Sequence, residues 1–185
     1  MQRSQKSEVR SQESEVRREA NIYQVPLQAS GVLAITSRPR GGDWLSDEIQ
    51  KLAAEGVQIL VSLLTAEEEF ELQLENEATL CLSNGIEFRV FPVPDLGIPS
   101  DGAAFINMVG QLALAIRNGK FVAAHCRQSV GRSGLLAAAV AVALGESLEG
   151  AVRAVTAARG VRIPETLEQQ HWLRQNLVKL SGLAS

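Results

Sequence analysis

Short apolar runs alternate along this chain with stretches in which apolar residues recur every three or four positions. Val32–Thr36 is apolar and lies between Gly31 and the turn-rich Ser37-Arg38-Pro39-Arg40-Gly41-Gly42, so it predicts a buried strand. Trp44, Leu45, Ile49, Leu52 and Ala53 then share one helical face, with Asp43 as its cap and Gly56 as its stop. Val57–Leu64 reads as a second buried strand. Thr65 or Ala66 opens an acidic helix that ends near Asn84-Gly85, and Glu87–Val93 alternates as a strand up to Pro94. Ser100 or Asp101 caps a helix with Phe105, Met108, Val109, Leu112 and Ile116 inward, closed by Asn118-Gly119. Lys120–His125 is another buried strand, and Gly131–Leu144, Leu148–Ala158 and Glu165–Leu180 are three further helices. This alternation implies an α/β fold, with a largely parallel central sheet of about four to five strands flanked by helices on both faces.

The chain of 185 residues is 45% hydrophobic and 21% charged. That is long and apolar enough to bury a core without disulfides or metal. Residues 1–20 stand apart. They are polar, and Ser-Glu-Val-Arg occurs at 7–10 and again at 14–17. They read as a disordered or frayed tail, or as a short helix docking on a partner, ahead of a single domain over 21–185. No apolar run is long enough for a membrane span, and the N-terminus does not resemble a secretory signal. A net charge of −3 argues against broad nucleic-acid binding. Two cysteines, Cys81 and Cys126, and two histidines offer no disulfide framework or structural metal site, which points to a reducing cytoplasm. The oligomeric state is not encoded in any feature of this kind.

The segment with chemistry is Phe121-Val-Ala-Ala-His125-Cys126-Arg127-Gln128-Ser129-Val130-Gly131-Arg132-Ser133-Gly134. Cys126 follows a buried strand, and a short loop then enters the N-terminus of an apolar helix. Open α/β sheets bind ligands at this edge. Successive loop N–H groups and the positive end of the helix dipole make a cradle for a phosphate-sized oxyanion. The same field favours a thiolate at Cys126. Arg132 can present its planar fork to two phosphate oxygens, Gly131 and Gly134 permit a tight entry, and Ser133 can give its hydroxyl to the sulfur.

His125-Cys126-x5-Arg132-Ser133-Gly134 resembles the signature of the Cys-x5-Arg protein tyrosine phosphatase superfamily, and specifically its small, bacterial-type dual-specificity branch. Arg38-Pro39-Arg40-Gly41-Gly42-Asp43-Trp44-Leu45, Val61-Ser62-Leu63-Leu64 and Arg162-Ile163-Pro164-Glu165-Thr166-Leu167-Glu168-Gln169 are similar to the corresponding parts of such enzymes, so the resemblance covers about residues 30–180. It implies an aspartate on a loop after a strand, upstream of the cysteine. Asp95, in Phe91-Pro92-Val93-Pro94-Asp95-Leu96-Gly97-Ile98-Pro99, stands 31 residues before Cys126; Asp101 is the competitor, with a ready role as a helix cap. The implied activity is phosphomonoester hydrolysis through a phosphocysteine. Cys126 is the nucleophile, Arg132 and the loop amides of Arg127, Gln128, Ser129, Val130, Gly131 and Arg132 hold the phosphate, Asp95 is the acid and base, and His125 orders the loop from behind and helps keep Cys126 ionised. No metal or cofactor is implied. The substrate would be a phosphorylated protein or a small phosphomonoester.

The loop interior lacks the two lysines of phosphoinositide phosphatases in this superfamily, which weakens a lipid substrate without removing it. Relatives that position a hydrolytic water carry Gln-Thr near the last helix; Glu165-Thr166 stands here instead, leaving Gln169 as either the positioning group or a surface residue. A non-hydrolysing phosphate-binding module is the alternative of another class, opposed by the presence of Cys126, Arg132 and Asp95 together. An arsenate-reducing or sulfur-transfer enzyme is opposed by the position of Cys126 and by a single other thiol. Glu67, Glu68, Glu69, Glu71, Glu75 and Glu77 read as a solvated helix face. Cys81 reads as a core thiol rather than a partner for Cys126. His171 and Trp172 read as packing or surface residues, and Arg38 and Arg40 either rim the phosphate pocket or decorate a loop.

Overall fold

The computed structural model describes residues 21–184, so the expectations for residues 1–20 lie outside it. Among the described residues, β1 (Ile22–Gln24), β2 (Val32–Thr36), β3 (Ile59–Ser62), β4 (Glu87–Val90) and β5 (Phe121–His125) form one sheet in the order β1-β2-β5-β3-β4. The pairs β2–β5, β5–β3 and β3–β4 are parallel, while β1 runs antiparallel to β2 at one edge.

The helices are α1 (Leu45–Ala54), α2 (Ala66–Glu71), α3 (Glu77–Ser83), α4 (Gly102–Arg117), α5 (Gly131–Ala143), α6 (Leu148–Arg159) and α7 (Leu167–Ser181). Strand side chains alternate between two cores, as the pleat requires. Leu33, Ile35, Ile59, Val61, Val122 and Ala124 pack with α4, α5, α6 and α7. Ala34, Leu60 and Ala123 pack with α1 and α3 through Leu45, Ile49, Leu52 and Cys81. Every residue of α5 is buried. Its alanines let neighbouring helices approach, and at Gly134 a Cβ would sit 2.5 Å from Ile163 Cγ2, so glycine is required by close approach.

Three local expectations are corrected. The acidic helix is two helices, α2 and α3. The chain turns at Gln73, whose φ of 55° lies in the left-handed region, and this seats Leu74 in the second core. Asp43 does not cap α1; it sits in a short 3-10 turn, Gly42–Trp44, and α1 starts without a side-chain cap. Trp44 is 55% exposed rather than inward. Its ring stacks under Arg40, 4.4 Å from the guanidinium carbon, because Leu45, Ile49 and Leu52 already fill the buried stripe. Asp101 does cap α4, with Oδ1 accepting from Ala104 N–H at 2.9 Å.

Candidate active site

Parallel register gathers the site. Ser62 of β3 pairs with both His125 and Val90. Beyond the strands Leu63 N–H donates to His125 O at 3.1 Å and Val93 N–H to Leu63 O at 3.2 Å. Three chain segments therefore leave the sheet side by side at one edge. After β5 comes Cys126, after β3 comes α2 with Glu68, and after β4 comes the loop with Asp95.

Cys126 is buried, and its Sγ lies 3.4 Å from Ser133 Oγ in the first turn of α5. The loop between them is held from outside. Arg159 of α6 donates to Ser129 O at 2.8 Å and Gln128 O at 3.3 Å while lying over the Tyr23 ring. In a trans peptide the C=O and the following N–H point in opposite directions, so fixing these carbonyls turns the Ser129 and Val130 N–H groups the other way. Ser129 itself has a φ of 56°, and its hydroxyl donates to Thr36 O at 2.6 Å. That buried bond ties the loop to the end of β2. Arg127 turns outward to Glu71, 2.9 Å away, and contributes its backbone to the loop.

Arg132 is buried at this edge, with 1% of its side chain exposed. Its guanidinium grips Glu68 with two parallel bonds, Nη1 to Oε2 at 2.6 Å and Nη2 to Oε1 at 2.8 Å. Nη1 also donates to Val93 O at 2.9 Å, and Nη2 to Asp95 Oδ1 at 2.9 Å. Burial opposes the charge on Arg132, but the Glu68 bond and the nearby Cys126, Glu68 and Asp95 outweigh it and push the pKa up. Burial likewise opposes the Glu68 carboxylate, yet bonds from Arg132 and the Thr65 backbone hold its pKa below the ordinary 4.5. Glu68 is thus no solvated residue. It closes a reciprocal capping box with Thr65 at the start of α2, and the pattern Thr65-x-x-Glu68 was the sequence signal for it. Glu77 is also buried, whereas Glu67, Glu71 and Glu75 are exposed as expected.

Other expected residues separate into those brought to the site and those kept from it. His125 continues the face of Ala123, so its buried ring points into the second core behind the loop. Gln169 is fully buried, which removes the surface reading. Its Oε1 accepts from Thr166 N–H at 3.3 Å and its Nε2 donates to Gly97 O at 3.0 Å. Thr166 also donates to Leu96 O at 3.3 Å, so the head of α7 holds the loop that carries Asp95. Glu165 and Gln169 approach Gly131, where a Cβ would lie 2.7 Å from Glu165 Oε2. Arg40 pairs with Glu48 at 2.7 Å and does not rim the pocket. Arg38 is half-buried; burial, and then the charge of Arg127, lower its pKa. Cys81 and Cys126 lie in different cores on opposite faces of the sheet. Burial, and then Glu77, push the Cys81 thiol up to about 12, as an inert core thiol requires.

The family model described as "polymorphic toxin system, DSP-PTPase phosphatase" matches residues 34–146, more than half of the chain. Cyclin-dependent kinase inhibitor 3 of Rattus norvegicus is 26% identical over 143 residues, which span 76% of this chain and 67% of the relative. A crystal structure of kinase associated phosphatase with serine in place of its catalytic site cysteine superposes with a TM-score of 0.79 at 22% identity, covering 89% of this chain and 98% of that one. PTPMT1 in complex with PI(5)P superposes with a TM-score of 0.69 at 20% identity, covering 88% and 99%.

Proposed function

The chain belongs to the dual-specificity-type phosphatase family of polymorphic toxin systems, a cysteine-based phosphatase family, and from that premise we propose that it hydrolyses phosphomonoesters on proteins through a phosphocysteine. The observation that carries this reading is the meeting of Cys126, Arg132 and Asp95 at one sheet edge, with Arg132 Nη2 2.9 Å from Asp95 Oδ1. In the proposed reaction the Cys126 thiolate attacks phosphorus in line. The S–P bond forms as the bond to the leaving oxygen breaks, and Asp95, protonated for this step, gives that oxygen its proton. Water then attacks phosphorus, Asp95 takes a proton from it, and the thiolate leaves with help from the Ser133 hydroxyl. Arg132 and the amides from Arg127 to Gly131 hold the equatorial oxygens throughout.

A protein substrate is favoured by the loop interior Arg127-Gln128-Ser129-Val130, which places no lysine over the phosphate. The likeness to a structure holding PI(5)P supports a second reading, a phosphoinositide or other non-protein monoester. Two unpaired cysteines, one of them needed as a thiolate, fit a reducing compartment such as the cytoplasm. Among the described residues no helix is long and apolar enough to cross a membrane. We read residues 21–185 as one phosphatase domain. Turnover of an aryl phosphate, of phosphotyrosine and phosphothreonine peptides and of short-chain phosphoinositides, measured side by side, tests the reading. Hydrolysis of none of them overturns it, and a preference for the lipids selects the second.

A further inference from the structure

We infer that Glu77 is a positioning residue of this site, whose buried carboxylate holds His125 as an imidazolium behind Cys126. The inference rests on Cys126 being the nucleophile. His125 Nε2 lies 3.1 Å from Glu77 Oε1, with 0% and 1% of the two side chains exposed. The placement follows from the pleat. Ala123 faces the second core, so His125, two residues on, faces it too, and Glu77 opens α3 on that side.

Among the described residues no aligned hydrogen bond reaches either His125 nitrogen or either Glu77 oxygen. A neutral imidazole and a neutral carboxyl at this distance would need alignment to satisfy both groups. A charge pair needs only proximity, and a carboxylate buried in an apolar core needs a cation beside it. The close but unaligned contact fits the pair.

The ionisable groups around it carry both signs. Glu69 of α2 titrates high, chiefly through burial; Glu77 and Glu75 push it the same way and His125 the opposite way. Cys81 of α3 stays a thiol. β3 contributes the Ser62 hydroxyl, and α1 faces this core with Leu45, Ile49 and Leu52, while its Glu48 is paired with Arg40. On the loop side stand Cys126 itself and Arg132, the latter tied to Glu68. Glu77 is therefore the carboxylate that touches His125, with Glu69 and Glu75 further off and Arg132 held by Glu68. The Glu77–His125 pair is a dipole with its positive end towards the residue that follows, Cys126, where it favours thiolate.

The sign of one substitution decides the matter. In the full chain, the rate of Cys126 alkylation by iodoacetamide is followed against pH by peptide mass spectrometry. If Glu77 acts through His125, Glu77→Gln moves the midpoint up by about one pH unit, and in a His125→Asn background the same change no longer moves it up. If Glu77 is only a packing residue, or only a negative charge near the sulfur, the midpoint stays or falls in the wild-type background, and the inference is overturned. Should Glu77→Gln fail to fold, the His125 ring carbon shifts of the labelled wild-type protein carry the test. An imidazolium at about pH 7 is expected, and a neutral ring there overturns the inference. Alkylation needs no turnover, so failure of the phosphatase reading would show separately in the substrate assays.

Discussion

Arg132 and Glu68 form a two-bonded ion pair, 2.6 and 2.8 Å long, beneath the loop that follows Cys126. One edge of the guanidinium is used by Glu68, and Nη2 also reaches Asp95. Glu68 therefore fixes the guanidinium plane, and the proposed mechanism turns the other edge, Nε with Nη2, on phosphate, which takes Nη2 over from Asp95. A fork held within a fraction of an ångström is worth more than the charge alone.

Removing that hold has two expected signatures. Glu68→Gln keeps the shape but loses the charge and one acceptor, and is expected to lower kcat/KM by about 10²-fold through misplacement of Arg132. Glu68→Ala leaves a buried guanidinium short of its partner and is expected to cost about 3–5 kcal/mol of stability. Steady-state kinetics on an aryl phosphate and urea unfolding measure the two. Wild-type kinetics in Glu68→Gln would show that the pair is structural only.

The same pair sets a pH limit. The Glu68 pKa is lowered on folding from the ordinary 4.5, so the folded state binds fewer protons there than the unfolded chain. Its contribution is complete above about pH 4.5 and is lost as pH falls through the lower folded value. The gap in melting temperature between wild type and Glu68→Gln is thus expected to narrow on acidification below that point. Parallel curves down to acid pH would contradict it.

Cys126→Ser is expected to abolish turnover and to retain phosphate-ester binding, since a serine hydroxyl is a poor nucleophile at neutral pH while Arg132 and the loop amides are untouched. Substrate binding to the variant by calorimetry, beside its residual rate, checks both halves. Retention of most of the activity would exclude a covalent route through this residue.

Asp95→Asn is expected to lower kcat by about 10²–10⁴-fold on alkyl phosphates and by less on aryl esters with acidic leaving groups. Asp101→Asn is expected to show no such dependence, because Asp101 caps α4 at 2.9 Å from Ala104 N and Asn caps nearly as well. Rates for both variants across leaving groups of graded acidity make the comparison. If Asp101→Asn alone tracks leaving-group acidity, the acid is misassigned.

Gly134→Ala places a Cβ 2.5 Å from Ile163 Cγ2 in the packing between α5 and the segment before α7. A loss of about 1–3 kcal/mol is expected from this overpacking, read as a lower denaturation midpoint with unchanged slope. An unaltered midpoint would mean that Ile163 moves aside freely.

The sequence by itself determined most of the elements and the setting of Cys126. Apolar runs such as Val32–Thr36 and the stretch Leu135–Ala143 of α5 can be buried in few ways, so strand, helix and α/β layering were legible from periodicity. The strand–Cys126–loop–helix order was legible for the same reason, because each part is local. Asp101 as a cap, and Cys81 as a core thiol, were also readable from position on a helix. What lay beyond local reach needed the fold. An acidic run looks solvated when each residue is judged by its neighbours in sequence. Only the β3–β5 register carries Glu68 under Arg132, 64 residues away, and only the pleat turns His125 from the loop towards Glu77. The break at Gln73 and the burial of Gln169 were decided the same way, by where Leu74 and the head of α7 had to sit. Propensity acts over a few residues, whereas the cost of a buried charge is settled by whichever distant side chain the sheet brings beside it.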